Sequence, residues 1–126
     1  LLDKIDVAII DDDEDFRELL GFYFESDDSL NIAIPEINHI EDILKFDYSA
    51  YDVVVFDYIF HGVKATEQIL QVYKQYDIPI VIVWTGAYLK EVDPRLRELF
   101  PIVEKSGVNI LRAEIIWYAK RYKKNK

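Results

Sequence analysis

Five polar residues close apolar runs in this chain. "DVAII" (6–10) stops at Asp11 and Asp12, "DVVVF" (52–56) at Asp57, and "IVIVW" (80–84) at Thr85, while "PIVEK" (101–105) ends in Lys105. Carboxylates a few ångströms apart repel, each raising the cost of ionising the next, so a chain that gathers them needs either plain solvent or a cation nearby. A set of two or three carboxylates suits Mg²⁺, which takes few protein ligands and keeps waters that a phosphate can replace. Asp57, at the end of a core strand, has the chemistry of a nucleophile that becomes an aspartyl phosphate. The cation, the Lys105 ammonium and the Thr85 hydroxyl would then offset charge on the transferring phosphoryl oxygens. Each residue alone has a plainer role, a helix cap for Asp57 or an edge-strand snorkel for Lys105. Asp13, Glu14 and Asp15 read as the first turn of a helix, where acids suit the positive dipole end.

The elements between these residues decide whether they meet. Five apolar segments, at 6–10, 30–34, 52–56, 80–84 and 101–105, alternate with stretches of helical period. Phe16, Leu19, Leu20, Tyr23 and Phe24 mark one face of a first helix. Ile40, Ile43 and Leu44 mark a shorter second, and Ile69, Leu70, Val72, Tyr73 and Tyr76 a third that ends before Pro79. Asp93 caps a fourth with Pro94 at its first position. The last spans about Val108 to Tyr122. Strict alternation implies parallel strands joined by right-handed crossovers, a doubly wound α/β sheet. The runs at 6–10, 52–56 and 80–84 are apolar throughout, as strands covered on both faces should be, whereas Asn31, Pro101 and Glu104 place the second and fifth strands at the edges. The expected order is 2-1-3-4-5, a five-stranded flavodoxin-like three-layer sandwich that brings all five polar residues to one rim at the strands' carboxyl ends.

Composition narrows the partners. The chain has 126 residues, enough for one domain over 1–126, and its formal charge of −9 argues against broad contact with nucleic acid. The basic tail Lys120–Lys126 reads as a frayed helix end whose cations suit the negative dipole pole. There is no cysteine, so thiolate metal sites are out of reach. No apolar run is long enough to span a bilayer; a cytoplasmic protein without membrane contact is the expectation.

With those ordered positions in hand, the sequence resembles the receiver domains of two-component response regulators over essentially its whole length. The resemblance implies that Asp57 is the phosphoacceptor and that Asp12, Asp57 and the backbone carbonyl of Ile59 hold Mg²⁺, with Asp11 acting through coordinated water. It implies that Thr85, Lys105 and the Gly86 N–H contact the phosphoryl group. The donor would be a phosphohistidine on a sensor histidine kinase or a histidine phosphotransfer domain, and the domain would promote its own phosphorylation and dephosphorylation without being a turnover enzyme. Signalling would use the face of the fourth helix, fifth strand and fifth helix, which in this family also forms homodimers.

The departures from that pattern carry expectations of their own. Ser106 follows Lys105 where the family has proline, so the bond should be trans. Ile102 replaces the aromatic switch residue, and His61 and Ala65 alter the loop after Asp57. These motivate a second reading, an interaction module that works without phosphorylation. Ile59 stands where aspartyl-phosphate phosphohydrolases carry a second acid, which counts against that enzyme class. Ile59 and Ala87 cannot orient a hydrolytic water through their side chains, so a phosphoryl group should be long-lived. The lone loop histidine His61 is expected to be solvated, and Trp84 to be core. On the last helix Trp117 falls opposite the buried stripe Val108, Leu111, Ile115, Ala119 and Tyr122, with Ile110 and Ala113 beside it, which suggests a contact surface.

Overall fold

The computed structural model describes residues 4–124, so the end of the basic tail, 125–126, lies outside the described residues. Five parallel strands form the sheet, β1 (Ile5–Ile10), β2 (Leu30–Ala33), β3 (Val53–Asp57), β4 (Ile80–Thr85) and β5 (Ile102–Glu104). Their order is β2-β1-β3-β4-β5, as expected, with β1, β3 and β4 central. Every residue of β3 and β4 is buried, whereas β2 and β5 keep exposed positions at Asn31 and Glu104.

Residue parity divides the core in two. Ala8, Ile10, Val54, Phe56, Val81 and Val83 face one side, with Ile43, Ile69, Val72 and Leu96 packed on them. Val7, Ile9, Val53, Val55, Ile82 and Trp84 face the other, under Leu20 and Phe24 of α1 (Glu14–Phe24) and Leu111 and Ile115 of α4 (Val108–Lys124). The first side is covered by α2 (Thr66–Gln75), α3 (Pro94–Leu99) and the segment Ile40–Lys45. The result is a three-layer α/β sandwich.

Several local expectations hold. Asp13 caps α1 by accepting the Phe16 N–H at 3.2 Å, and Asp93 caps α3 by accepting the Arg95 N–H at 2.9 Å. Leu111, Ile115 and Ala119 are buried on α4, Val108 and Tyr122 pack beside them, and Trp117 is half exposed. Two expectations are corrected, and the loop after Asp57 gains a defined path. The second helix is a six-residue 3₁₀ segment with no side-chain cap, whereas the equally short α3 is α-helical behind its Asp93 cap and Pro94. On α1, Leu20 and Phe24 are buried but Leu19 and Tyr23 are exposed. Arg17 takes the buried flank instead, because its guanidinium finds three oxygen acceptors there. The loop after Asp57 contains a small antiparallel hairpin, Ile59–Phe60 with Val63–Lys64, turning through His61 (φ 47°) and Gly62 (φ 81°), the positive-φ pair that a tight hairpin turn requires.

The division of α4 is testable by urea unfolding. Ile115→Ala, which empties a fully buried site, should cost about 2–5 kcal/mol. Trp117→Ala removes only a half-exposed ring stacked on Arg121 and should cost less than about 1 kcal/mol.

Candidate functional site

The rim gathers its charges as the sheet order requires. Ligand atoms of Asp11, Asp12 and Asp57 all lie within 4.8 Å of one another. Asp11 and Asp57 are buried and Asp12 is nearly so. Lys105 reaches across from the end of β5, its Nζ donating to Asp11 Oδ2 at 3.0 Å and lying 3.4 Å from Asp57 Oδ2. No peptide bond among the described residues is cis, so the trans Lys105–Ser106 bond lets the lysine reach the carboxylates. Backbone donors hold the acids from behind. The Asp13 N–H donates to Asp11 Oδ1 at 2.9 Å, the His61 N–H to Asp12 Oδ2 at 2.9 Å, and the Ile59 N–H to Asp57 Oδ1 at 3.4 Å.

Electrostatics single out Asp57. Burial pushes its carboxyl up to about 7, with the Lys105 ammonium working against that rise and the Asp11 and Asp12 carboxylates adding to it. Lys105 is held above its ordinary value: burial pulls it down, and the Asp57 and Asp11 carboxylates together raise it by more. One ammonium thus faces three carboxylates. An all-oxygen donor set short of positive charge fits a hard divalent cation. The Ile59 carbonyl is compatible with that set. Because the Ala65 N–H donates to the Tyr58 carbonyl at 2.8 Å, Ile59 and Lys64 form a non-hydrogen-bonded pair, and the hairpin ladder does not use the Ile59 carbonyl.

Thr85 lies elsewhere. Asp57 is in register with Trp84, so Trp84 shares its face of the sheet and Thr85 points to the other. The Trp84 ring lies under the Lys105 ammonium, 5.1 Å from Nζ, beside Phe16 at the same distance. Thr85 is buried, its hydroxyl accepting the Ala87 N–H at 3.0 Å. With Ile102, Tyr88 and Leu89 it lines a neighbouring hollow, whereas Asp11, Asp12, Asp57 and Lys105 share theirs with Asn38, His39 and His61. Ile110 and Trp117 are exposed on α4, and neither lines the acidic hollow.

Two residues were not foreseen in these places. His61 is not simply solvated: its Nδ1 lies 3.3 Å from Asp12 Oδ2 and its Nε2 2.7 Å from the Asn38 carbonyl. A left-handed turn aims its N–H and its ring at the same carboxylate. Buried Arg17 ties the rim together, donating to the carbonyls of Asp11 (2.9 Å) and Ile37 (3.3 Å) and to Asn38 Oδ1 (3.0 Å). An arginine among the apolar positions of α1 was the available signal, since a buried guanidinium needs acceptors.

Comparison with solved structures decides what fold this is. Over 97% of this chain and 95% of the other, it superposes with TM-score 0.76 and 17% identity on the signal receiver domain of a LuxO-type repressor from Vibrio parahaemolyticus. A CheY-like receiver domain from Methanospirillum hungatei matches with TM-score 0.76 and 17% identity, covering 98% of this chain and all of that one. The chain has the receiver-domain fold. A third receiver-fold match, response regulator TrrA from Thermotoga maritima solved in complex with Mg²⁺ and BeF, has TM-score 0.71 and 21% identity over 90% of this chain and 98% of the other. No family model and no curated protein matches the sequence.

The raised Asp57 carboxyl makes a linkage prediction. Its folded value of about 7 lies above the ordinary 3.8, so the folded state holds the proton more tightly than the unfolded one. Stability should fall as pH rises from about 4 to about 7 and level off above that. Asp57→Asn should abolish this slope. In thermal unfolding without divalent cations it should be more stable than the wild type above pH 7, with the difference shrinking toward pH 4.

Proposed function

We propose that this chain is a phosphoacceptor signalling domain, switched by Mg²⁺-dependent phosphorylation of Asp57. The observation that carries the reading is the closed group Asp11, Asp12, Asp57 and Lys105 at the carboxyl rim of a receiver-fold sheet. Asp12, Asp57 and the Ile59 carbonyl would hold the cation, with Asp11 acting through its water. Bound there, the cation supplies charge neutralisation that keeps Asp57 ionised and steadies phosphoryl oxygens.

The chain's own residues do the rest. An Asp57 carboxylate oxygen attacks the phosphorus of a phosphohistidine on a sensor kinase or phosphotransfer domain. The phosphorus–nitrogen bond breaks, its electron pair returns to the donor imidazole, and that nitrogen takes a proton from water. Lys105, held between Asp11 and Asp57, offers its ammonium to the phosphoryl oxygens as negative charge arrives. Thr85 would exchange the Ala87 N–H for the phosphoryl group, shifting a two-state equilibrium that alters the hollow beside Ile102 and the face containing Ile110 and Trp117. A homodimer through that face is part of this reading, as is a cytoplasmic location.

The position of Thr85 favours one alternative. Its hydroxyl is already engaged on the opposite face, and Ile102 supplies no aromatic partner, which suits an interaction module that works without phosphorylation. Incubation with Mg²⁺ and acetyl phosphate followed by intact-mass measurement separates the two. The phosphoacceptor reading expects a single phosphoryl adduct on the wild type, none on Asp57→Asn and none with chelator. The adduct should outlast seconds, because neither Ile59 nor Ala87 can orient a water. An unmodified wild type, or an adduct that survives Asp57→Asn, would leave the interaction module as the account.

A further inference from the structure

Tyr58 directly follows Asp57, and its side chain crosses to the other layer of the sandwich. Asp57 shares its face of the sheet with Trp84, whereas Tyr58 is fully buried in the layer of Phe56, Ile69 and Leu96, under α2 and α3. A buried phenol needs a hydrogen-bond partner, and Tyr58 finds one on each helix. Its hydroxyl accepts the Asp93 N–H at 3.1 Å, and the Thr66 hydroxyl donates to it at 3.3 Å. Asp93 is the cap of α3. Its side chain accepts the Arg95 N–H, and its carbonyl accepts the Leu96 and Arg97 N–H groups at 3.0 and 3.3 Å. With only six residues in α3, the order of that helix leans on the cap. Two other ties join this region to the Asp57 side: Lys64 Nζ donates to the Glu91 carbonyl at 3.1 Å, and Arg95 pairs with Glu67 at 2.7 Å. Both are exposed, where such contacts contribute little, so the buried Tyr58 hydroxyl is the tie with energetic weight.

We propose that Tyr58 is a coupling residue: phosphorylation of Asp57 withdraws its hydroxyl from the Asp93 N–H and loosens the first turn of α3. The inference rests on the phosphoacceptor reading and adds a route from the acidic rim to a helix of the opposite layer that does not use Thr85. The backbone over 57–59 must adjust when the Ile59 carbonyl turns to a cation and Asp57 carries a phosphoryl group. The long contact from the Ile59 N–H to Asp57 Oδ1, 3.4 Å, resists that adjustment only weakly. The hydroxyl is the Tyr58 atom farthest from this backbone and is joined to it by a rigid ring, so a small rotation at residue 58 produces its largest displacement there. A bond of 3.1 Å leaves hydrogen-bonding range when it lengthens by only a few tenths of an ångström.

The test is hydrogen exchange read amide by amide by NMR, on the wild type and on Tyr58→Phe, with and without Mg²⁺ and excess acetyl phosphate. Intact mass gives the adduct on each sample, and circular dichroism with the Ile115 amide of α4 checks the fold of the variant. In the wild type the adduct should raise exchange at the Leu96 and Arg97 amides about 3–10-fold, the worth of one hydrogen bond. The Asp93 amide should lose protection at the same time, a reading that needs no variant. Tyr58→Phe should show the raised exchange already when unmodified, take up the adduct to the wild-type level, and respond to it by less than about twofold at those amides. A hydroxyl with a structural role alone gives the full phosphorylation response on a faster background. That full response in Tyr58→Phe, a wild-type adduct that leaves Asp93, Leu96 and Arg97 unmoved, or loss of the adduct from Tyr58→Phe alone overturns the coupling. Absence of any adduct on the wild type is instead the failure of the phosphoacceptor reading, and the coupling falls with it.

Discussion

One ammonium set among three carboxylates is the constraint around which the rest of this rim is arranged. Lys105 approaches both Asp11 and Asp57 but not Asp12, so the group is one or two positive charges short of balance. Removing carboxylates from water without full compensation is costly. The molecule meets part of that cost by raising Asp57 toward protonation and part through backbone N–H donors to each acid. A divalent cation would meet the remainder, which gives the apo domain a reason to bind one.

Strand parity then determines what surrounds the ammonium. Because Asp57 and Trp84 are register partners, the indole and Phe16 flank Lys105 while Thr85 is turned to the opposite face. Trp84 pays for its place, as its buried Nε1 has no hydrogen-bond partner among the described residues. The aromatic wall shields the lysine from water and strengthens its attraction to the carboxylates. Thr85, one residue further along, belongs to a different cavity, so any communication between phosphate chemistry and the Ile102 side must pass through the end of β4.

The sheet was legible because its signals are of long range and redundant. Three continuous apolar runs and two polar-marked edges leave one economical order, and each run ends in a chemistry-bearing residue. Asp13 was separable from Asp12 because a cap and a strand end obey different local rules. What escaped notice depends on single backbone angles and on side-chain reach. The His61–Gly62 turn lacks the usual Asn-Gly or Asp-Gly signature. Arg17 lies beside Leu20 and Phe24 by helical period, but its charge reads as a solvated edge, and Leu19 and Tyr23 are apolar yet exposed because the buried flank is claimed by a hydrogen-bonding group. Amphipathic pattern predicts a helix more reliably than it predicts which edge of its apolar face turns inward.

These overlooked residues form a second ring that fixes the first. Arg17 joins the end of β1 to the 37–38 segment, Asn38 receives both Arg17 and the His61 ring, and His61 returns to Asp12. The ring is closed by hydrogen bonds between three separate stretches of chain. Asp12, the most accessible of the three acids, is therefore held before any cation arrives. A pre-positioned carboxylate loses little rotamer freedom on binding, so more of the interaction energy remains as affinity.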